Sequence, residues 1–314
     1  MRQRARVFAF FLLVAIGAGS PWAQAANLTV NCDKKETIHK AVKLLADTNP
    51  QGPNTITVSG SCTENILIRS MDRLTLTTKK GASITDRSNG SLAVVDIEDS
   101  HSVTVQGFTI NGGGAGVGCG TESVCHLTGN TIQGAGESGS GVGVGGRSHA
   151  FLESNVIQNN GFRGSTVSGG SQMSSSNDLF QGNWAQGIVV FGAYLEAFNS
   201  SFLNNGVGIE GALNSTLDLH GGTISGNGGD GMILVASAAV AFRQGTTITG
   251  NGAVGVHLED GSFAVFLAAT VTGNLSGLDV ECAPQFPITR FVDRTGGITN
   301  CVEPASASQL KAVE

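Results

Sequence analysis

Residues 223–251 read TISGNGGDGMILVASAAVAFRQGTTITGN, and the phrase that opens this stretch returns almost unchanged at its end. Thr223 to Asn227 spells TISGN, and Thr247 to Asn251 spells TITGN, 24 residues further on. Self-similarity at a fixed spacing of roughly 20–50 residues is typical of chains built from stacked structural repeats. If this phrase marks one repeat, it should recur along the rest of the chain.

It does recur, with a period of about 23 residues. The apolar residue of the phrase is found eight times at steps of 22 to 25 residues, at Ile110, Ile132, Ile157, Phe180, Phe202, Ile224, Ile248 and Val271. In the last six units an asparagine follows three residues later, at Asn160, Asn183, Asn205, Asn227, Asn251 and Asn274. A glycine comes three or four residues after each asparagine, at Gly164, Gly187, Gly208, Gly231, Gly255 and Gly277.

Each unit has the right length for one coil of three short strands and three turns. Strands rise about 3.3 Å per residue, so a unit of this length leaves no room for a helix, and stacked coils lie about 4.8 Å apart. The anchors then form an inward column. The asparagine amides can bond from coil to coil and tolerate left-handed turns, and we expect the glycines to supply a positive φ.

Two other repeat folds fit less well. A leucine-rich repeat also has units of roughly 20–29 residues with an asparagine, but the LxxLxLxxN spacing is absent. Left-handed hexapeptide helices need a six-residue period, which is also absent. The GNxIxxN/G phrases from Gly129 to Asn274 resemble the right-handed parallel β-helix proteins of the pectin-lyase-like superfamily. The resemblance covers about 54–282 and implies an all-β solenoid.

The two ends of the chain differ from the repeat. Residues 1–25 combine a basic start, an apolar run of about twelve residues and the small-x-small sequence Ala23-Gln24-Ala25, which predicts a secretory signal peptide. The alternative, a membrane anchor, needs about 20 apolar residues, and no later stretch meets that length. The predicted organisation is a signal peptide at 1–25, an N-terminal strand and capping helix at 26–53, coils at 54–282, and a C-terminal cap with a loose tail at 283–314.

A short helix is predicted between Glu36 and Asp47, because Ile38, Val42 and Leu45 fall on one helical face. The open end of a coil stack exposes core residues and strand edges, so it needs a cap. The alternative is a helix that binds a partner. Residues 283–302 are expected to cap the other end of the stack.

Composition excludes some functions and indicates a compartment. Without the three arginines of the leader, 15 of the 18 basic side chains remain against 24 acidic ones, a net charge of about −9. The absence of a basic run argues against nucleic acid as a partner and against an anionic membrane surface. Export to the periplasm or the exterior is expected, while the oligomeric state stays open.

All six cysteines lie beyond the leader, and an even number in an exported chain predicts disulfides. The alternative, a metal site, would need CxxC-type pairs, and the sequence contains none. Six cysteines allow 15 pairings. Position along the chain favours Cys32 with Cys62, Cys119 with Cys125, and Cys282 with Cys301.

The superfamily resemblance implies a substrate groove on the outer face of one parallel sheet. Period-two alternation points His257, Glu259, Asp279 and Glu281 outward there, with His257 expected beside Asp279 and Glu259 beside Glu281. The hypothesis makes His257 a general base and the acids either proton donors or ligands of calcium or a transition metal. The alternative is a solvated acidic edge.

A second candidate set would bind substrate: Asp96, Glu98 and the isolated acid Glu210. Asp96 lies 14 residues before Ile110, as His257 lies 14 before Val271, which places them in one row about 34 Å apart. The coils between them look small and apolar. Val189, Phe191, Ile233 and Val235 are either an exposed strip or, with another register, partly internal. Arg147 and Arg163 are placed in turns nearby.

Sequence signatures of enzymes are scarce. The NTD, DD, GHG and RIK motifs of polygalacturonases and the DPH motif of alginate epimerases are absent, apart from the fragment Leu219-His220-Gly221-Gly222. No serine-hydrolase, phosphate-loop or HExxH motif is present. The sequence therefore favours an exported, non-catalytic module that binds polysaccharide or a cell-surface glycan. The alternative is a polysaccharide lyase, hydrolase or epimerase acting on an acidic glycan, with calcium as the cofactor such a site would take.

Overall fold

A computed structural model describes residues 25–283, 290–292 and 298–301. Within this part, the chain winds through three parallel sheets and passes from one to the next in each coil. The leader and most of the predicted C-terminal cap and tail lie outside the described residues. The parallel β-helix expected from the repeat is confirmed.

The strands fall into three groups that follow one another along each coil. The twelve-stranded sheet contains β1 (Ala26–Asn31), β2 (Asn54–Ser59), β5 (Leu74–Thr78), β8 (Val103–Gln106), β11 (Val124–Thr128), β14 (His149–Glu153), β17 (Gln172–Ser176), β20 (Tyr194–Phe198), β23 (Thr216–His220), β26 (Ala239–Arg243), β29 (Phe263–Phe266) and β32 (Arg290–Val292). One ten-stranded sheet, called the site sheet below, contains β4 (Ile66–Arg69), β7 (Ala93–Glu98), β10 (Ala115–Gly120), β13 (Ser140–Val144), β16 (Arg163–Ser168), β19 (Gln186–Phe191), β22 (Val207–Ala212), β25 (Met232–Leu234), β28 (Val256–Leu258) and β31 (Val280–Cys282). The other contains β3 (Ser61–Thr63), β6 (Ser83–Thr85), β9 (Thr109–Asn111), β12 (Thr131–Gln133), β15 (Val156–Gln158), β18 (Leu179–Gln181), β21 (Ser201–Leu203), β24 (Thr223–Ser225), β27 (Thr246–Thr249) and β30 (Ala269–Thr272).

The anchors of the repeat pair directly from coil to coil. Ile132 is in register with Ile110 on one side and Ile157 on the other, and Ile224 with Ile248. All of these side chains are buried. Aromatic anchors stack in the same column, with the rings of Phe180 and Phe202 5.1 Å apart. The column therefore forms the core that holds successive coils together.

The asparagines form the expected ladder. From Asn160 to Asn274, each Nδ2 donates to the Oδ1 of the next asparagine at 2.8 to 3.2 Å. The ladder ends on Asp279, whose Oδ1 accepts from Asn274 Nδ2 at 3.0 Å. Every amide is buried, so each needs a partner.

The reason expected for the glycines was wrong in five of six coils. Among them only Gly277 has a positive φ, and the left-handed residue is instead the one before each ladder asparagine, for example Asn204. A Cβ on any of the other five would lie within 2.6 Å of a backbone oxygen and 3.0 Å of a ladder amide of the next coil. The glycines are therefore required by the close approach of the coils.

Helix α1 (Ile38–Thr48) covers the N-terminal end of the stack, with Ile38, Val42 and Leu45 buried beneath it. Its first turn is held by Glu64, which follows β3. The two carboxylate oxygens accept from the backbone N–H groups of Ile38 and His39 at 2.8 and 2.9 Å. An acid from the first coil thus supplies the partners that a helix start lacks.

We expect Glu64→Ala to lower the free energy of unfolding by about 1–3 kcal/mol, because two backbone donors lose their acceptor and one is buried. Chemical denaturation followed by circular dichroism measures this change. Glu64→Gln keeps one acceptor and should cost less. An unchanged midpoint for the alanine variant would contradict this role.

Three disulfides cross-link the chain: one near each end of the coil stack and one beside strand β10 of the site sheet. They join Cys32 to Cys62, Cys119 to Cys125, and Cys282 to Cys301, the three pairings that position along the chain favours. No helix among the described residues is long and apolar enough to cross a membrane.

Candidate functional site

The outer face of the site sheet carries most of the candidate residues in one row. Strand pairing places Asp96, Gly118, Gly143, Thr166, Val189, Glu210, Ile233, His257 and Glu281 side by side in that order. Asp96 and His257 are therefore on one face and seven strands apart, as predicted. They cannot act on the same atom.

The N-terminal end of this face is an acidic cleft of about 270 Å³ between β4 and β7. Arg69 forms an ion pair with Glu98, and Asp96 lies beside them. Burial, followed by the charge of Glu98, raises the pKa of Asp96, while Arg69 opposes this shift. A carboxyl group of this kind can hold a proton more readily than an exposed one.

Next to the cleft the sheet has a floor without side chains. Nothing lies within 4 Å of a Cβ built on Gly120 or Gly143, and only the hydroxyl of Ser168 comes within 4 Å of one on Gly145. A flat ligand can therefore approach the backbone closely over two strands.

The centre of the face is occupied by a group of cationic, acidic and aromatic side chains. We call it the central cluster, and its members are Phe162, Arg163, Trp184, Gln186, Phe191 and Glu210. Arg163 Nε donates to Gln186 Oε1 at 3.0 Å, and Gln186 Nε2 donates to Glu210 Oε2 at 2.6 Å. This chain of hydrogen bonds links a cation to an acid across three strands.

Arg163 also lies over two aromatic rings. Its guanidinium carbon is 4.3 Å from the centre of the Phe162 ring and 5.5 Å from that of Phe191. Burial lowers the pKa of Arg163, and Glu210 opposes this shift. The group stays charged at neutral pH because the ordinary pKa of arginine is so high.

These contacts correct the expected picture of the centre. Glu210 is not isolated, and Arg163 is the first residue of β16 rather than part of a turn. Val189 points outward in the row but has no exposed surface, and Phe191, Ile233 and Val235 are half-buried. Of the two alternatives for these four residues, Val189 follows the internal one, while the other three keep partial exposure.

Trp184 stands at the edge of the central cluster and is 74% exposed. Its ring centre is 6.4 Å from that of Phe162, and it lines a hollow of about 510 Å³ with Glu137 and Gly161. An exposed tryptophan beside a hollow is a common ligand contact.

The sequence contains a signal for Trp184 that pattern reasoning missed. The residue after the ladder asparagine is glycine in four of six units, namely Gly161, Gly206, Gly228 and Gly252. A Cβ on Gly206 would lie 2.6 Å from the carbonyl oxygens of Trp184 and Ala185. A large aromatic residue in a position where most coils carry glycine marks a departure from the repeat.

At the C-terminal end, the expected neighbour of His257 was wrong. His257 pairs with Glu281, and Asp279 is 6% exposed because it ends the asparagine ladder. The register differs by two residues, since Val280 rather than Leu278 continues the inward column. Glu259 directly follows β28 in the same coil as His257, and the expected pairing of Glu259 with Glu281 was therefore also wrong.

The residue that sequence reasoning missed here is Asp230. His257 Nδ1 is 3.5 Å from Asp230 Oδ2, and His257 Nε2 is 3.2 Å from Glu259 Oε1. The contact with Asp230, together with the charges of Asp230, Glu259 and Glu281, raises the pKa of His257 against the opposing effect of burial. An imidazole held by carboxylates at both nitrogens fits a proton donor better than a base.

We expect Asp230→Asn to lower the pKa of His257, because it removes the largest cause of the upward shift. Since the folded pKa is raised, the stabilisation is complete below the unfolded value of about 6.5 and is lost as pH rises through the folded value. The variant should therefore lose more stability at pH 6 than above that window. Proton NMR titration of the His257 ring measures its pKa in both proteins, with His39 as internal control. An unmoved pKa would contradict it.

Calcium does not fit the described acids well. It prefers six to eight oxygen ligands, whereas the imidazole of His257 separates the carboxylates of Asp230 and Glu259. Within the described residues, the one close group of three possible ligands is Cys32, Cys62 and Glu64. Its cysteines form a disulfide and its acid caps α1, so that group also does not fit a metal.

Comparisons with known proteins agree with this architecture. The family model of the right handed beta helix region matches residues 115–276, just over half of the chain. The protein belongs to this right-handed β-helix family, which confirms the resemblance drawn from the repeat. No curated protein sequence matches the chain.

Two solved structures share the fold at low sequence identity. The A-module of the mannuronan C-5 epimerase AlgE4 of Azotobacter vinelandii is 15% identical, with a TM-score of 0.63 over 81% of this chain and 81% of that chain. A mutant of the periplasmic alginate epimerase AlgG is 13% identical, with a TM-score of 0.58 over 70% of this chain and 60% of that chain. At such identities the likeness extends to the fold alone.

Proposed function

We propose that this protein is an exported, non-catalytic polysaccharide-binding module, and that it binds a glycan chain on the outer face of the site sheet. The observation that carries the proposal is the central cluster. Trp184 offers a flat exposed ring, and the apolar C–H face of a sugar ring can stack on it. Arg163 and Glu210 lie close by and can bond sugar hydroxyls as donor and acceptor.

The glycine floor supports the same interpretation. Gly120, Gly143 and Gly145 leave the backbone open beside the cluster, so sugars that follow the stacked one meet few side chains there. The spacing of neighbouring strands, about 4.8 Å, is close to the length of one sugar in a chain. A glycan that runs along the solenoid axis would thus meet one coil per sugar.

Charge favours a neutral polysaccharide. The cation and the acid of the cluster balance each other, whereas acids outnumber basic groups at both ends of the face: Asp96 and Glu98 against Arg69, and Asp230, Glu259 and Glu281 against His257. An acidic glycan would be repelled at both ends. Export is supported by the three disulfides, which persist in oxidising compartments.

Isothermal titration calorimetry on soluble glucan, mannan, galactan, pectate and alginate tests the binding. We expect a neutral member of this panel to give saturable heat and the acidic members to give less. No saturable heat with any of them would overturn the proposal.

A second candidate function is an enzyme that acts on an acidic glycan, as the epimerases with the same fold do. The observation in its favour is His257 between Asp230 and Glu259, which could deliver a proton to a leaving group or a carbanion. Turnover of pectate or alginate that disappears in the His257→Ala/Glu259→Gln double variant would establish it. If the protein is such an enzyme, Asp230 should also be required for turnover.

A further inference from the structure

A second group of polar and aromatic side chains lies on the outer face of the twelve-stranded sheet, away from the site sheet. It contains a groove of about 190 Å³, called the Tyr194 groove, with Tyr194, Thr216, Asp218, Ala239, Ala241, Arg243, Phe263 and Val265 in its lining. The proposed function assigns no role to these residues. The fragment Leu219-His220-Gly221-Gly222 begins one residue after Asp218.

The groove exists because small residues lie between large ones. Strand pairing places Ala239 between Thr216 and Phe263, and Ala241 between Asp218 and Val265. The two alanines thus form a shallow apolar floor. Tyr194, one strand before Thr216, borders the groove on one side, and Phe263 borders it on the other.

The polar groups of the groove are already oriented. Arg243 Nε donates to Asp218 Oδ1 at 2.7 Å, a contact that leaves the terminal N–H groups of the guanidinium for other partners. The side chain of Arg243 is 42% exposed. Asp218 retains its second oxygen, because no contact to it occurs among the described residues.

His220 lies beside Asp218 on the outer face of β23. Its Nε2 lies 3.3 Å from Asp218 Oδ1 and 3.8 Å from Glu196 Oε1, and its ring stacks on Phe198 at 4.6 Å. Both ring nitrogens are buried, and neither forms an aligned hydrogen bond to a described residue.

Tyr194 contributes a hydroxyl rather than a phenolate. Burial, and then the charges of Glu196 and Asp218, raise the pKa of Tyr194 above its ordinary value, while Arg243 opposes this shift. The phenol therefore keeps its proton at neutral pH. It can donate or accept a hydrogen bond, and its ring adds apolar surface.

We propose that the Tyr194 groove is a second carbohydrate-binding site, which takes one neutral sugar ring at a chain end or branch. Neighbouring hydroxyls of a sugar would accept from Arg243 and donate to Asp218, and its C–H face would lie on Ala239 and Ala241. The volume suits a single ring. The site is separate from the central cluster, so one solenoid could bind two glycan segments with a gain from avidity.

The single tyrosine of the sequence provides a direct probe. The full chain labelled with 3-fluorotyrosine should give one ¹⁹F signal, which is titrated with the methyl glycosides of glucose, mannose and galactose. We expect a saturable shift with at least one of them. Asp218→Asn and Arg243→Ala should each weaken that binding on the order of tenfold, equivalent to the loss of one good hydrogen bond.

Matched variants keep the result interpretable. Ala241→Leu fills the floor without removing a polar group and should abolish the shift, whereas Arg87→Ala removes an exposed arginine elsewhere and should leave it unchanged. Trp184→Ala should also leave it unchanged, which separates this site from the central cluster. No saturable shift, or a shift that survives in Ala241→Leu with both polar variants at full affinity, would overturn the second site.

Discussion

Gly231→Ala is expected to lower the free energy of unfolding by about 3 kcal/mol, at the upper end for overpacking by a single methyl group. The new Cβ would lie 2.6 Å from Gly255 O and 2.8 Å from both Asn251 Nδ2 and Ile248 Cγ2. A backbone oxygen, a ladder amide and a core anchor would all have to move. Because each coil is stabilised by its neighbours, the transition should also become broader.

Gly143→Ala is the matched control. Gly143 lies in β13 of the site sheet, whose strand β25 begins directly after Gly231, and it has no positive φ and nothing within 4 Å of a built Cβ. We expect a change within about 0.5 kcal/mol, or a small gain from the stiffer unfolded chain. Urea denaturation of both variants measures the difference. Equal stabilities would mean that close coil packing does not explain the glycine column.

Trp184→Ala is expected to weaken polysaccharide binding by about 30-fold, since the residues that dominate an interface are enriched in tryptophan and cost about 2 kcal/mol or more when truncated. The fold should be unaffected because the side chain is 74% exposed. Calorimetry with the neutral glycan that the wild type binds best gives the value. Trp184→Phe keeps a flat ring and should lose less.

Leu275→Ala is a closely matched control for the tryptophan. Leu275 follows the last ladder asparagine as Trp184 follows Asn183, and it is 75% exposed. It lies four coils from Trp184 and outside the central cluster, so its removal should leave the affinity unchanged. If both variants bind as the wild type does, the glycan does not contact the Trp184 region.

The sequence predicted the fold because the features that define a coil recur over many successive coils. The column of Ile110 to Val271 and the asparagine ladder each repeat a physical requirement, namely core packing and a partner for a buried amide. The reason for the glycine column was misjudged, because a positive φ and a close approach of two backbones both require glycine, and the sequence shows only that glycine is present. Only coordinates distinguish the two.

The candidate site was predicted in part, and the errors have physical causes. The outward row from Asp96 to His257 follows from the constant spacing of the anchors. Asp279 was misplaced because Gly277 was taken as the equivalent of Gly255, 22 residues apart, whereas paired residues of these two coils, such as Val256 and Val280, lie 24 apart. The contacts of His257 with Asp230 and of Arg163 with Gln186 were missed because they join residues more than 20 positions apart through side chains whose directions the repeat does not fix.

The most direct test of the central claim is the state of the polysaccharide after prolonged incubation with the wild-type protein at concentrations that give saturable binding. Chain length is measured by size-exclusion chromatography, and new unsaturated ends and uronate composition by NMR. We expect bound glycan that is unchanged in length, ends and composition. Shortened chains, new unsaturated ends or inverted uronates that vanish in the His257→Ala/Glu259→Gln variant would contradict it and make the protein an enzyme.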